Sequence, residues 1–292
     1  MTPHSLYTRR EALQKSLMAV ATVPLMGMTM TADAVESTPA LAARDRTHGL
    51  DLSVASYTLG KLSVDEVIAT LRKLELKNVA LHRLHCPWDG SPETCAAVTK
   101  KFRDAGINVT GTGVIRLPNN EATARKAFDN LRAAGVMTMV CQPALDAFPL
   151  LDRLVREYDI RLAIHNHGPG DLYPSPYDSL KAAQPYDRRI GVCYDIGHGY
   201  QAGADPVEAI HRCRERLYDV HLKDTLATAG QKADVPVVVG HGRIDFHGVV
   251  AALVAIKYPF RCGFEYEQDV PDRVTGLAES VGYIRGILAG LR

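Results

Sequence analysis

The sequence predicts a single-domain α/β fold, a (β/α)8 TIM barrel, over residues 49–292. Three observations carry this. Short apolar runs recur eight times, each followed by a stretch with helical apolar spacing, which is the pattern of a parallel sheet. Eight such units close into a barrel. A doubly wound open sheet would instead need a glycine fingerprint after the first strand, and Tyr57-Thr58-Leu59-Gly60 is not one. Finally, many of the runs end in His, Asp or Glu. The carboxyl ends of parallel strands are where such proteins keep their chemistry.

The elements follow in order. Residues 50–57 alternate small and apolar side chains and read as the first strand. Ser63 and Glu66 have capping-box spacing and open a helix carrying Val67, Leu71 and Leu74. Residues 78–82 form the second strand, and Ser91-Pro92-Glu93 starts the next helix. The third strand is 107–112. Asn119-Asn120-Glu121 opens a helix closed by Gly135. Strand 136–141 leads to a helix begun by Asp146, and strand 160–165 ends in His165-Asn166-His167. After a weak helix around Leu180, residues 189–224 supply one complete strand–helix–strand unit. Its helix is capped by Asp205, with Pro206 in first position. A Val-rich run, 235–239, precedes Gly240-His241-Gly242, and Asp245 caps a helix running to Ile256. Strand 260–264 and a helix over 277–291 complete the barrel.

Ahead of the barrel, residues 1–34 read as an export signal and 35–48 as a linker. Arg9 and Arg10 precede an apolar run at 17–30, and Ala32-Asp33-Ala34 offers a small-x-small cleavage site. The segment resembles a twin-arginine signal, although Ala12 stands where Phe is usual. It implies a periplasmic location. Pro24 and Gly27 interrupt the run, so no stable membrane span is expected in the mature chain. With 34 Lys and Arg against 33 Asp and Glu, the net charge is +1 and no basic stripe points to nucleic acid. Oligomeric state is not legible, and a homo-oligomer is compatible with the sequence. Cys141, Cys193 and Cys262 fall in strands as buried thiols, whereas Cys86 and Cys95 flank one loop and are the pair a disulfide would join. There is no CxxC pair.

The polar strand ends gather on one rim. They are His85, His165 with His167, Asp195 with His198, His221 with Lys223, and Glu265 with Glu267. His165, Asp195, His221 and Glu265, one from each of the last four strands, form a candidate first shell for a divalent ion. Such an ion would polarise a sugar carbonyl while a nearby base moves the adjacent proton. Each residue has a plainer role open to it. Asp195 can cap the following helix, His221 can be a core histidine, and Glu265 can pair with Arg261 or Lys223. His167 and His198 suit substrate contacts, and Lys223 is either a solvated charge or an electrophile near a substrate oxygen. His85, beside Pro87 and Trp88, is a sugar-facing wall or simply a loop residue.

At GVCYDIGHG (191–199), DVHLKD (219–224), GHGRIDF (240–246) and GFEYE (263–267) the chain resembles the xylose isomerase-like TIM-barrel superfamily, the sugar phosphate isomerases and epimerases. The resemblance implies Mn, Mg, Co or Zn as cofactor. It places metal ligands on Asp195, His221 and Glu265 and a substrate-side histidine on His198. Where many relatives have a first Glu ligand, this chain has His165. Two-carboxylate proton shuttling is therefore weakened, and single-base chemistry next to a ketone gains. The expected activity is isomerisation or epimerisation of a non-phosphorylated keto-sugar or glycoside derivative, with a keto-sugar lyase or hydratase, or a non-catalytic sugar-binding relative, as alternatives. Glu265 would be the base, helped by His198 and Lys223, with His85, His167 and Trp88 against a carbohydrate substrate. An endonuclease-type reading finds no basic surface to support it.

Overall fold

In the computed structural model, residues 47–291 are described. The segment read as an export signal and most of the linker lie outside them. The strands are β1 (Asp51–Ala55), β2 (Asn78–Leu81), β3 (Asn108–Thr112), β4 (Ile115–Leu117), β5 (Thr138–Pro143), β6 (Arg161–His165), β7 (Ile190–Asp195), β8 (Leu217–Leu222), β9 (Asp224–Thr225), β10 (Pro236–Val237) and β11 (Arg261–Phe264). Nine of them form one parallel sheet in the order β3-β2-β1-β11-β8-β7-β6-β5-β4, and β9 and β10 make a small hairpin.

The two ends of that sheet are consecutive in the chain. Only Gly113 and Val114 separate β3, which pairs with β2, from β4, which pairs with β5. The expected third strand, 107–112, is β3 alone; β4 continues it after a break that the sequence did not mark, and the barrel closes across that break. Thr112 bridges it. Its hydroxyl accepts from the Val140 N–H (3.0 Å) and donates to the Val140 carbonyl (3.3 Å), standing in for a ladder pair that the bend has removed. Gly113 allows the bend, since a Cβ there would lie 2.7 Å from the His82 ring.

The helices on the outside are α1 (Val64–Lys73), α2 (Pro92–Asp104), α3 (Glu121–Ala134), α4 (Phe148–Tyr158), α5 (Pro176–Ala183), α6 (Ile196–Gln201), α7 (Pro206–Cys213), α8 (Phe246–Ala255) and α9 (Arg273–Gly290). Their starts follow local chemistry. Ser63–Glu66 and Ser175–Asp178 are reciprocal capping boxes, and Ser91, Asn120, Asp205 and Asp245 cap through one side-chain oxygen. Gly135 closes α3 at φ +70°, which a side chain would resist. Asp146 does not start α4. Ala147 occupies the cap position without a side-chain bond, and Asp146 accepts from Asn119 instead. β7 ends at Asp195, and Gly197 and Gly199 follow it inside the short helix α6. Gly199 lets that helix sit against Tyr194, where a Cβ would come within 2.5 Å of the ring. All six cysteines are free and buried, so Cys86 and Cys95 form no disulfide.

One large apolar cluster fills the layer between sheet and helices. A second, Val140, Ala163 and Cys193, comes from β5, β6 and β7.

Candidate metal centre

Register fixes the height of each site residue. Asp195 on β7 lies level with His221 on β8. His165 on β6 lies level with Cys193, one side-chain repeat below Asp195. His221 lies level with Gly263, one repeat below Glu265. The stagger of tilted barrel strands therefore brings four inward side chains from four neighbouring strands to one point.

Their facing atoms are close. His221 Nδ1 is 2.7 Å from Glu265 Oε2 and 3.0 Å from His165 Nε2. His165 Nε2 is 3.7 Å from both Asp195 Oδ2 and Glu265 Oε2, and His221 Nδ1 is 3.9 Å from Asp195 Oδ2. Four ligands held about 2.0–2.2 Å from one ion stand about 3.3–3.6 Å apart at the corners of a tetrahedron, so the cluster matches that size. The two Asp195 oxygens have different surroundings. Oδ1 caps α6 by accepting from the His198 N–H (2.9 Å), while Oδ2 is buried without a hydrogen-bond partner and faces the cluster. Two imidazoles and two carboxylates suit a borderline ion such as Zn, Co or Mn better than Mg. The residues thus fit a divalent metal.

The electrostatics of the protein chain by itself agree. Burial pushes Asp195 up to about 6. Burial and the neighbouring His167 hold His165 well below the ordinary histidine range. Burial opposes charge on both His221 and Glu265, but it is outweighed: Cys193 and Glu265 lift His221, while His221 and His165 hold Glu265 down. The pair is held as imidazolium and carboxylate, a positive charge placed where the cation would sit.

Asn166 steadies this arrangement. Its side chain donates to the Asp195 carbonyl and accepts from the Asp195 N–H, both at 3.0 Å, and so fixes the peptide that aims the ligand. Sequence reasoning gave Asn166 no role. The only signal was its place between two rim histidines.

A second group of potential ligands, His198, Asp234 and Glu267, surrounds Lys223. The Lys223 Nζ meets Asp234 Oδ2 at 3.1 Å and His198 Nε2 at 3.2 Å, and it pairs with Glu267. An ammonium has three N–H groups, and three partners engage them. Lys223 is therefore neither a solvated charge nor free to meet a substrate oxygen. It holds the place a second cation would need. Burial opposes its charge, but Asp195 and Glu267 keep it above the ordinary lysine range. The same contacts set the tautomer of His198. Gln201 Nε2 donates to the carbonyls of Ala233 (3.2 Å) and Gln231 (3.4 Å), so Oε1 faces His198 Nδ1 at 3.1 Å. Nδ1 carries the proton, and Nε2 accepts from Lys223.

Asp234 comes from the loop after β9, which Asp224 anchors. One Asp224 oxygen accepts from the N–H groups of Gly240 (2.9 Å) and Gly242 (2.8 Å), the other from Thr225 (2.9 Å). A Cβ on Gly242 would fall 2.0 Å from that carboxylate, which explains the glycine in Gly240-His241-Gly242.

The four-residue cluster opens into a cavity of about 250 Å³ whose walls include His82, His167, His198, Glu265 and Glu267. His85 is absent from this wall. It is 5% exposed, and both ring nitrogens are engaged, Nδ1 with Ser56 Oγ (2.8 Å) and Nε2 with the Leu62 carbonyl (3.0 Å). The tight turn after β2 turns His85 inward and leaves His82 at the mouth, a residue the sequence reading passed over. Trp88 donates to the Leu81 carbonyl (2.6 Å) and lines an adjoining groove. His167 lines both spaces, and burial pushes it down to about 4.

A family model described as xylose isomerase-like TIM barrel matches residues 141–287, half of the chain. An inosose dehydratase of Geobacillus kaustophilus is 33% identical over 130 residues, which are 40% of this chain and 42% of that protein. The match spans less than half the length of that curated relative. Among solved structures, the IolI protein with a bound zinc atom superposes with a TM-score of 0.65 at 14% identity, covering 82% of this chain and 98% of the other. The 3-keto-D-glucoside 4-epimerase of E. coli gives a TM-score of 0.62 at 13% identity, with coverages of 82% and 99%. At these identities the structural likeness concerns the fold. Among the described residues, no helix is long and apolar enough to cross a membrane.

Proposed function

The chain belongs to the xylose isomerase-like TIM-barrel family, and on that premise we propose that it is a divalent-metal-dependent enzyme that abstracts a proton next to the carbonyl of a keto-sugar and completes the reaction by eliminating water. The observation that carries this is the convergence of His165, Asp195, His221 and Glu265, of which His165, His221 and Glu265 also line one open cavity.

His165 Nε2, Asp195 Oδ2, His221 Nδ1 and Glu265 Oε2 would hold the ion. When bound, it supplies Lewis acidity toward the carbonyl oxygen and makes the adjacent C–H more acidic. The other Glu265 oxygen, Oε1, has no hydrogen bond among the described residues and is the base within reach of that proton. The C–H electron pair forms the new C=C bond as the neighbouring C–O bond breaks. The leaving hydroxide departs as water after taking a proton from the cavity wall. Glu265 returns to it the proton taken from carbon, which regenerates the base, while His82, whose Nδ1 accepts from the Leu84 N–H (3.4 Å), presents its Nε2–H to the departing oxygen as a hydrogen-bond donor. His198, with both ring nitrogens engaged by Gln201 and Lys223, offers the face of its ring as a wall of the cavity.

The inosose dehydratase relative supports elimination. A second reading, epimerisation between two carboxylates, has one observation in its favour. Glu267 lines the same cavity as Glu265, although Lys223 already engages it.

One experiment separates the two. The full chain, loaded with Mn or Zn, is incubated in heavy water with an inosose and a 3-keto-D-glucoside. We expect deuterium uptake next to the carbonyl together with loss of water by mass; uptake with retained mass favours epimerisation. Glu265→Gln should slow exchange by about 10²–10⁴-fold. Unchanged exchange in that variant contradicts the assignment of the base.

A further inference from the structure

The small cavity above the metal cluster continues into a groove of about 900 Å³, and the two share Gly113, Val114 and His167. Ligand pockets usually enclose about 300–1,000 Å³, so the inner space takes one small ring while the groove alone approaches the upper limit. A lone keto-sugar leaves the groove empty.

The groove wall has a marked chemistry. Arg83 comes from the loop after β2, Arg116 from β4, and Lys126 from α3. Among the described residues, no ion pair engages any of the three. Their neighbour Arg125, by contrast, is paired with Glu121 and Glu157. Two acids share the groove. Asp171 is committed inward, accepting from Gln142 Nε2 (2.7 Å) and the Tyr173 N–H (3.1 Å). Asp89 is exposed and has no ion-pair partner among the described residues. Trp88, 3% exposed and tied to the Leu81 carbonyl, backs the groove from the core.

We propose that this groove is a subsite for a second unit of the substrate, a sugar carrying an oxyanion, with Arg83, Arg116 and Lys126 as the residues that select it. The inference rests on the proposed keto-sugar reading and adds to it: the reacting unit sits at the metal, and the selected group sits one unit away. Guanidinium groups match both carboxylate and phosphate oxygens, so the shared chemistry is an oxyanion on a saccharide, from a uronate or a phosphate ester.

The test is calorimetric titration of the full Mn-loaded chain at low salt with cellobiose, cellobiouronic acid and cellobiose 6′-phosphate. One of the two anionic disaccharides should bind at least about tenfold more tightly than cellobiose, a preference that shrinks as salt rises. Which one does so identifies the source of the oxyanion. In Arg83→Ala/Arg116→Ala/Lys126→Ala the preference should vanish while metal content stays at the wild-type level. Equal binding of all three probes, binding of none, or a preference retained in the triple variant overturns the subsite. Metal content measured on the same samples separates that outcome from a failure of the metal-centre reading, which would show as protein unable to hold Mn.

Discussion

At the residue scale, the two oxygens of Asp195 have separate duties, and they can be separated by mutation. Asp195→Asn keeps the cap acceptor at Oδ1 but replaces the oxygen that faces His165 and His221 with an amide nitrogen. We expect metal affinity to fall by at least about 10–100-fold, the loss typical of changes that disturb a metal's supporting groups. The metal-free stability should change by less than the roughly 1 kcal/mol a lost cap costs. Competition with a metallochromic chelator and a urea titration check the two halves; unchanged metal affinity would remove Asp195 from the ligand set. Lys223 makes the opposite case. It is 1% exposed, and its partners Glu267 and Asp234 are about a quarter exposed, so Lys223→Met strands two carboxylates in a largely dry site. That should cost about 3 kcal/mol in chemical denaturation, the lower end for breaking a buried pair. It should also slow turnover, because His198 loses its donor. The sequence singled out Asp195, His221, Glu265 and His165, whose facing atoms meet in the fold, because strand-end polarity is a local signal. It misplaced Lys223 and His85 because their partners, Asp234 and Ser56, are set by loops that only the fold brings near.

At the scale of elements, most helices were legible from caps written in neighbouring residues: Ser63 with Glu66, Asn120 with Gly135, Asp205 with Pro206. α9 was placed late, because its first turn, Arg273–Val274–Thr275–Gly276, has no apolar period to betray it beyond the Asp272 cap. The break between β3 and β4 was invisible for a different reason. Periodicity reports which residues face inward, whereas the break is a matter of which neighbour each half pairs with. There the structure depends on one hydroxyl. Thr112→Val removes both bonds to Val140 and leaves a buried N–H without a partner, which should cost about 1–3 kcal/mol. Thr112→Ser keeps the hydroxyl and should recover most of that loss. A urea titration of both variants decides, and a Thr112→Val protein as stable as the wild type would show that the seam is held by packing alone.

For the whole molecule, the candidate metal centre is also a clasp. Its ligands come from β6, β7, β8 and β11, four consecutive strands in the sheet, so an ion bound there ties together half of the barrel through side chains that otherwise confront one another. Such an ion binds the folded chain and not the unfolded one, and at a hundredfold excess over its dissociation constant it stabilises by about 2.7 kcal/mol. In a domain of this size each kcal/mol moves Tm by roughly 2–4 °C, so chelation should lower Tm by about 5–10 °C, and returning the ion should restore it. The donor set adds an order. With two imidazoles among four ligands, the gain at equal free-ion concentration should rise from Mg through Mn and Co to Zn. His165→Ala removes one of those imidazoles from β6 and should abolish most of the metal-dependent gain while leaving the chelated protein near its own baseline. A Tm indifferent to chelator in the wild-type chain would mean that the four side chains meet without holding an ion, and the proposed chemistry would lose its electrophile along with the clasp.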